Sequence, residues 1–362
     1  MRAVVLRHPG GPEALRVERV PEPLPGPGES LIDVTLTGVN FDDLDQRAGA
    51  YPELAVPAVL GLEAVGRRRS DGRRVVALLR QGGGYAEVVA ARDAYTVEIP
   101  AGIDDAQALG LFEQGTTAYG ALLLAGRLRP GESVAVSAAA GGVGHLAVQL
   151  AVALDASPVI GLASTPAKRQ FVEGLGADVA LDPADPELAA RLREATDGAG
   201  VDLFVDSVGG AVARAGLAGL APFGRLVCLG WRPGAAGDDR TVDGPRAATD
   251  PGSAHDDDPW TVVDPTGAGH ATGSADAGVV TLTTAQLARS SIGCAGFWMR
   301  HVVDHRELLR GIADRLFELA ARGRLAVHVD RTVALHEVGA AHAAVAARST
   351  TGKVLVDVRR EV

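Results

Sequence analysis

The strongest constraint on this chain is a glycine turn set between an apolar strand and an apolar helix. Residues Ser133-Val-Ala-Val136 lead into Ser137-Ala-Ala-Ala140-Gly141-Gly142-Val143-Gly144, and an apolar helical pattern runs on to Leu154. A dinucleotide pyrophosphate needs that order. Glycines admit its close approach, and the free N–H groups and positive end of the new helix face its charge. Ala139 stands where the first glycine of the G-x-G-x-x-G pattern belongs, so the motif by itself also fits a turn that holds no ligand. The downstream pattern narrows the choice. Strand-like segments at 158–161, 178–181, 201–206 and 224–230 alternate with helical patterns at 166–175, 186–195 and 211–220. That alternation predicts an α/β fold with a doubly wound parallel sheet.

The second strand predicts which dinucleotide. A carboxylate normally ends it to hold the adenosine ribose, but the stretch here reads Gly161-Leu-Ala-Ser164-Thr165-Pro166-Ala-Lys168-Arg169. A hydroxyl and two cations stand where a 2′-phosphate would need them, which points to NADPH over NADH. Lys168 and Arg169 have a second reading, as solvated residues in the first turn of the next helix.

With 362 residues, 47% of them hydrophobic, the chain is long enough to bury two cores. No stretch approaches the apolar span of about 20 residues that a membrane helix needs, and residues 1–7 are too short for a signal peptide. A cytoplasmic location is expected. Cys228 and Cys294 each fall inside a strand-like run and read as buried free thiols. The net charge of −10 is local: residues 232–278 carry nine Asp against three Arg, a net −6. Nucleic-acid binding is disfavoured. This segment, with no apolar period and rich in Gly, Ala, Asp, Thr and Pro, reads as a flexible surface insertion over 233–278. It leaves the carboxyl end of a strand, where α/β ligands bind, so a lid is the other reading. His255, His270 and Asp256-Asp257-Asp258 match no metal-ligand spacing.

The first hundred residues differ in texture. Pro and Gly crowd residues 21–28, and short alternating strands come after them at 30–37, 74–79 and 84–89. The tail returns to that style at 325–330 and 353–358, after a helix over 304–322. A β-rich catalytic domain split around the nucleotide domain is expected, with the site in the cleft between them.

Several short motifs complete the pattern: Gly38-Val-Asn40-Phe41-Asp-Asp43, Gly49-Ala-Tyr51-Pro52, Gly61-Leu-Glu63-Ala-Val-Gly66, Gly84-Tyr85-Ala86-Glu87, Gly115-Thr-Thr117-Ala118-Tyr119, Gln149-Leu150-Ala151 and Thr351-Gly352-Lys353-Val354. With the glycine turn, they resemble the medium-chain dehydrogenase/reductase superfamily and, within it, the zinc-independent NADPH:quinone oxidoreductase branch. The resemblance implies a GroES-like catalytic domain at 1–118 and 302–362 and a Rossmann NADPH-binding domain at 119–301. Zinc members of that superfamily carry Cys at the position of Asn40 and His just before the Glu of the Gly-x-Glu motif. Here Asn40 and Leu62 stand there, and the four-cysteine lobe is missing. Two strand cysteines cannot supply the three or four ligands of a zinc site, so no metal is expected.

By the same resemblance, Asn40 and Thr117 lie beside the nicotinamide and the acceptor oxygen, with Tyr51 as a pocket hydroxyl. Ala140, Gly141, Gly142, Val143 and Gly144 would carry the pyrophosphate, Ser164 and Lys168 the 2′-phosphate, and Lys353 a polar contact near the cofactor. Loops at Ser207, Val208 and Gly230 would touch the dinucleotide. Each has a structural alternative: Asn40 as a turn stabiliser, Thr117 as a helix cap, Lys353 as a surface cation. Relatives often carry Tyr where Asp45 stands, so Asp45 either repels acidic acceptors or points to solvent. Phe297 and Trp298 line an acceptor pocket or belong to a core or dimer interface. The expected partner is a small conjugated acceptor, and a homodimer through the sheet edge is implied. The leading expectation is metal-free hydride transfer from NADPH to a quinone or conjugated carbonyl. The alternatives are an enoyl or alkenal reductase, with Tyr51 or water as proton donor, and an NADPH-binding sensor without turnover.

Overall fold

The computed structural model describes residues 1–51, 54–229, 280 and 282–360. Its first part contains β1 (Arg2–Leu6), β2 (Leu15–Arg19), β3 (Glu29–Val39), α1 (Phe41–Ala48), β4 (Ala58–Val59), β5 (Glu63–Arg68), β6 (Arg74–Leu78), β7 (Val88–Arg92), β8 (Thr96–Glu98) and α2 (Asp105–Gly110). A π-helical turn, Leu111–Gly115, leads into α3 (Thr116–Tyr119) and a second π turn, Gly120–Ala125. The alternating strands and helices come next: β9 (Val134–Val136), α4 (Gly144–Ala153), β10 (Val159–Leu162), α5 (Pro166–Gly174), β11 (Val179–Leu181), α6 (Leu188–Glu194), β12 (Val201–Asp206), α7 (Gly210–Gly219) and β13 (Leu220–Cys228). The remainder holds α8 (Thr284–Ser290), β14 (Gly293–Gly296), α9 (Met299–Val303), α10 (Arg306–Ala321), β15 (Val329–Ala334), α11 (Val338–Ala346) and β16 (Lys353–Asp357).

The expected parallel sheet is present, in the order β11-β10-β9-β12-β13-β14. Chain order runs outward in one direction from β9 and in the other from β12, so the switch point where such sheets bind ligands lies between them. Alternation buries both faces. Val134, Val136, Leu203 and Val205 join one apolar cluster, while Ala135 and Phe204 join the cluster on the opposite face. The first cluster also includes Val65, Val76 and Leu78, so apolar packing is continuous from the parallel sheet to the N-terminal strands.

Those strands form a second, mixed sheet, β15-β16-β3-β5-β6-β8, in which β7 also pairs with β3. It joins the two ends of the chain: β16 pairs antiparallel with β3, bringing Val354 opposite Val39. Strands β2-β1-β4 make a small separate sheet.

Three expectations are corrected. A strand at 325–330 begins only at Val329, because the side-chain amides of Gln149 and Gln107 occupy the backbone groups of Ala326 and Val327 at 2.8–3.0 Å. The strand expected at 84–89 starts at Val88, because the Tyr85 backbone bridges β1 and Leu60 instead, donating to Leu60 O at 2.9 Å and accepting from Val4 N–H at 2.8 Å. Cys228 and Cys294 are free thiols, but both are exposed. They lie on β13 and on β14, the last two strands at one edge of the parallel sheet. Gly230 and the insertion expected at 233–278 lie outside the described residues.

Candidate functional site

The turn from β9 into α4 is shaped for close approach. Ala138 adopts a left-handed backbone, φ 46°, and a side chain at Gly144 would overlap Ala138 O and come within 2.7 Å of Ala139 Cα. Gly141 N–H donates back to Ala138 O at 2.8 Å. His145, wholly buried on the first turn of α4, ties this loop down: its Nδ1 lies 2.9 Å from Gly141 O, and its Nε2 accepts the His328 N–H at 3.1 Å. Accepting there requires a neutral ring, and burial lowers the His145 pKa to about 4. Gly352 N–H adds a bond to Ala140 O at 2.8 Å, so the C-terminal segment is anchored directly on the glycine turn.

At the end of β10, Ser164 is exposed and Thr165 caps α5 through the Lys168 N–H. The Lys168 ammonium donates to Arg348 O at 2.7 Å; burial lowers the Lys168 pKa, the Asp330 carboxylate opposes that shift, and the Arg348 charge adds to it. Arg169 turns the other way, to Ala163 O and the Asp182 carboxylate, both at 3.0 Å. Ser164, Lys168 and Arg348 therefore gather at one edge. Sequence reasoning missed Arg348, which lies 180 residues from Lys168 and stands in a left-handed turn. Past β12, Ser207 N–H donates to Ser137 Oγ at 2.8 Å, and Val208 N–H to the buried Asp206 carboxylate at 3.1 Å. These two expected cofactor contacts sit at the correct sheet edge with their N–H groups already bonded within the protein.

The third group is a buried polar cluster. Asn40 ends β3 and begins α1; its own N–H is held by the Asp43 carboxylate at 2.8 Å, which leaves its side chain free to face inward. Asn40 Nδ2 donates to Glu63 at 2.8 Å, and Asn40 Oδ1 accepts from Lys353 Nζ at 2.8 Å and from Gln114. Lys353 also bonds Glu63 directly, and the two side chains are 1% and 0% exposed. The surface reading of Lys353 is thereby excluded. Gly38 makes room for this pair, since any β-carbon there would collide with Lys353 Cε and the Glu63 carboxylate. Asp43, at the edge of the cluster, is raised to about 7 by burial.

Thr117 lies inside α3, not at its start, so it is no helix cap. Its hydroxyl lies 3.2 Å from Glu113 O and 3.1 Å from the Met299 sulfur. The Tyr51 hydroxyl donates to Asp42. Phe297 lies over Gly120, while Trp298 is 54% exposed. Glu113 and Gln114 were not foreseen. Their one signal was two adjacent polar residues inside the apolar run from Ala108 to Ala125.

The glycine turn and the Asn40 cluster adjoin. A β-carbon on Gly142 would sit 3.4 Å from Gln114 Cγ, and Gln114 bonds Asn40. Gln114 is thus the link between the turn and the Asn40 cluster. Family models match on both sides of this junction: residues 26–101 match the alcohol dehydrogenase GroES-like domain, and residues 142–246 match the zinc-binding dehydrogenase model. A quinone oxidoreductase of Pseudomonas aeruginosa is 30% identical, with 96% of each chain covered. The chain belongs to the medium-chain dehydrogenase/reductase superfamily, in its quinone oxidoreductase-like branch, and is an oxidoreductase. A 2-haloacrylate reductase of a Burkholderia species is also 30% identical, with 98% of each chain covered. Among solved structures, a mycobacterial protein complexed with NADPH superposes with a TM-score of 0.81 at 29% identity, covering 99% of this chain and all of the other.

Proposed function

We propose that this medium-chain reductase uses NADPH to reduce a quinone or a conjugated carbonyl, without a metal, in the cleft between domains at 1–118 with 302–362 and at 119–301. The observation that carries the reading is the approach of Gln114, which bonds Asn40, to Gly142, close enough that a β-carbon there would touch it. NADPH fits the residues present: Gly141, Gly142 and Gly144 give the diphosphate its approach, and Ser164, Lys168 and Arg348 offer a hydroxyl and two cations to the 2′-phosphate. When bound, it supplies the hydride. The protein supplies position and donors. Asn40, held by Glu63, Gln114 and Lys353, cannot swing away, and Thr117 offers a hydroxyl that can turn from Met299 toward a developing oxyanion.

Zinc does not fit this cleft. Among the described residues the positions around Asn40 offer no thiolate or imidazole, and an ammonium already bonds both Asn40 Oδ1 and Glu63 Oε1. A divalent ion there would have to displace it against like charge. We assign the protein to the cytoplasm, and as a homodimer joined through the exposed edge strand β14, which sedimentation velocity would test. Anaerobic NADPH oxidation with benzoquinone, a simple enone and an enoyl thioester tests the reaction. Turnover of any acceptor by protein free of zinc supports the reading. Tight NADPH binding without turnover of any acceptor would instead mark a nucleotide sensor. A specific observation favours a second reading, reduction of an activated C=C bond: the half-buried Glu113 carboxyl near Glu63 and Lys353, since that chemistry asks for an acid as well as a hydride.

A further inference from the structure

Reduction of a conjugated C=C bond leaves an enolate, whose α-carbon must take a proton. Tyr51 is poorly placed to give one, because its hydroxyl proton is committed to Asp42. Glu113 is better placed. It lies in the π-helical turn Leu111–Gly115, an insertion that re-aims side chains and recurs at functional sites. Its backbone carbonyl receives the Thr117 hydroxyl, and the next residue, Gln114, bonds Asn40. One turn of chain thus carries Glu113, the Asn40 anchor and the bond to Thr117. The side chain is half-buried, and among the described residues nothing donates a hydrogen bond to its carboxyl.

The surroundings hold this carboxyl in its acid form. Burial comes first; Glu63 on β5 and Asp43 and Asp42 on α1 add like charge, and the opposing ammonium of Lys353 on β16 is already spent on Glu63 and Asn40. Of the elements packed against the turn, α10 sets the apolar Leu316 on Gly115, β6 contributes buried aliphatic side chains, and α4 carries the neutral His145. Together these raise its pKa to about 8. A half-buried carboxyl with no fixed partner, protonated at neutral pH and set beside the Asn40–Glu63–Lys353 cluster, has what a general acid requires.

We propose that Glu113 is the catalytic acid that protonates the α-carbon of a conjugated acceptor. The inference rests on the hydride-transfer reading of the cleft. As hydride adds to the β-carbon, the C=C electron pair moves onto the α-carbon and carbonyl oxygen. The Glu113 O–H bond then breaks as the α-C–H bond forms, and water returns a proton to the carboxylate. NADPH is oxidised to NADP⁺ and the alkene is reduced by two electrons and one added proton.

The test compares wild type with Glu113→Gln, which keeps shape and removes the acid. With a saturating enone at pH 7, kcat falls about 100-fold, the scale of a positioned general acid, and falls at least tenfold more than benzoquinone turnover, because quinone oxygens take their protons from water. The wild-type enone kcat declines as pH rises through about 8, where the acid ionises, and the variant loses that limb. Infrared difference spectra of the coenzyme-free proteins, wild type minus Glu113→Gln at pH 7, give a second readout: a protonated-carboxyl band remains in the difference after the Asp43 contribution common to both cancels. Equal enone turnover in the two proteins, or a difference spectrum with no such band, overturns the proposal while leaving the functional reading intact. Wild type that reduces neither enone nor quinone overturns both.

Discussion

At the scale of single residues, the Asn40 cluster is held by one ammonium and one carboxylate with almost no access to water. Burying such a pair is costly, and removing one partner leaves the other charge uncompensated, a loss of about 3–5 kcal/mol. Lys353→Met is therefore expected to lower unfolding stability by that order, and adding Glu63→Gln to recover most of it, measured by urea denaturation. If the double variant is no more stable than the single one, the pair does not act as a unit. The single variant also frees Asn40 Oδ1 from one of its two donors, so the acceptor side of the site should loosen even where the fold survives. Asn40, Thr117 and Lys353 were legible in the sequence because each sits in a short motif with glycine beside it. Gln114 and Glu113 were not, because two polar residues in an apolar run look like the wet side of a helix. Only the three-dimensional meeting of that run with β3, β5 and β16 turns them inward.

Among the elements, α4 shows what sequence pattern reveals and what it leaves out. The glycine turn, the strand before it and the helix after it were all readable, since period and turn chemistry are local. The role of His145 was not, because its partner, the His328 N–H, lies 183 residues away. That bond has a pH signature. The folded His145 titrates near 4 and an unfolded one near about 6.5, so between these values the unfolded chain binds the extra proton. Its contribution is complete above about pH 6.5 and is lost as pH falls toward 4, on the order of 3 kcal/mol by the size of the shift. Asp43 and Glu113, both raised, work in the opposite direction over much of this window, losing stability as pH rises. The whole-protein slope is therefore a partial cancellation. The informative quantity is a difference: relative to wild type, His145→Leu should be most destabilised at pH 7 and progressively less so at pH 6, 5 and 4, by chemical denaturation at each pH. A pH-independent difference would mean that the imidazole is not held neutral in the folded protein.

At the scale of the whole molecule, the two sheets meet along a seam that the coenzyme should complete. Gly352 N–H to Ala140 O, His328 N–H to His145, the Gln107 and Gln149 amides on Val327 and Ala326, and the Lys168 ammonium on Arg348 O all join the C-terminal segment to residues far from it in sequence. A dinucleotide laid along the β9 switch point touches both banks, so binding and stability are linked: NADPH at about 100 times its Kd should stabilise the fold by about 2.7 kcal/mol. Its 2′-phosphate would fall at Ser164, between Lys168 and Arg348, one cation from each bank. Each charge-assisted contact of that kind is worth about 1.5–3 kcal/mol, or roughly ten- to a hundredfold in affinity. Lys168→Ala and Arg348→Ala should therefore each weaken NADPH binding by at least about tenfold and change NADH binding little, read by quenching of protein fluorescence and by the coenzyme-dependent rise in Tm. Arg348 is the sharper of the two, because its backbone is shared with the seam while its guanidinium, on this reading, serves the phosphate alone. If Arg348→Ala weakens NADPH and NADH equally, the residue holds the seam closed and the discrimination lies on the α5 side, with Ser164 and Lys168.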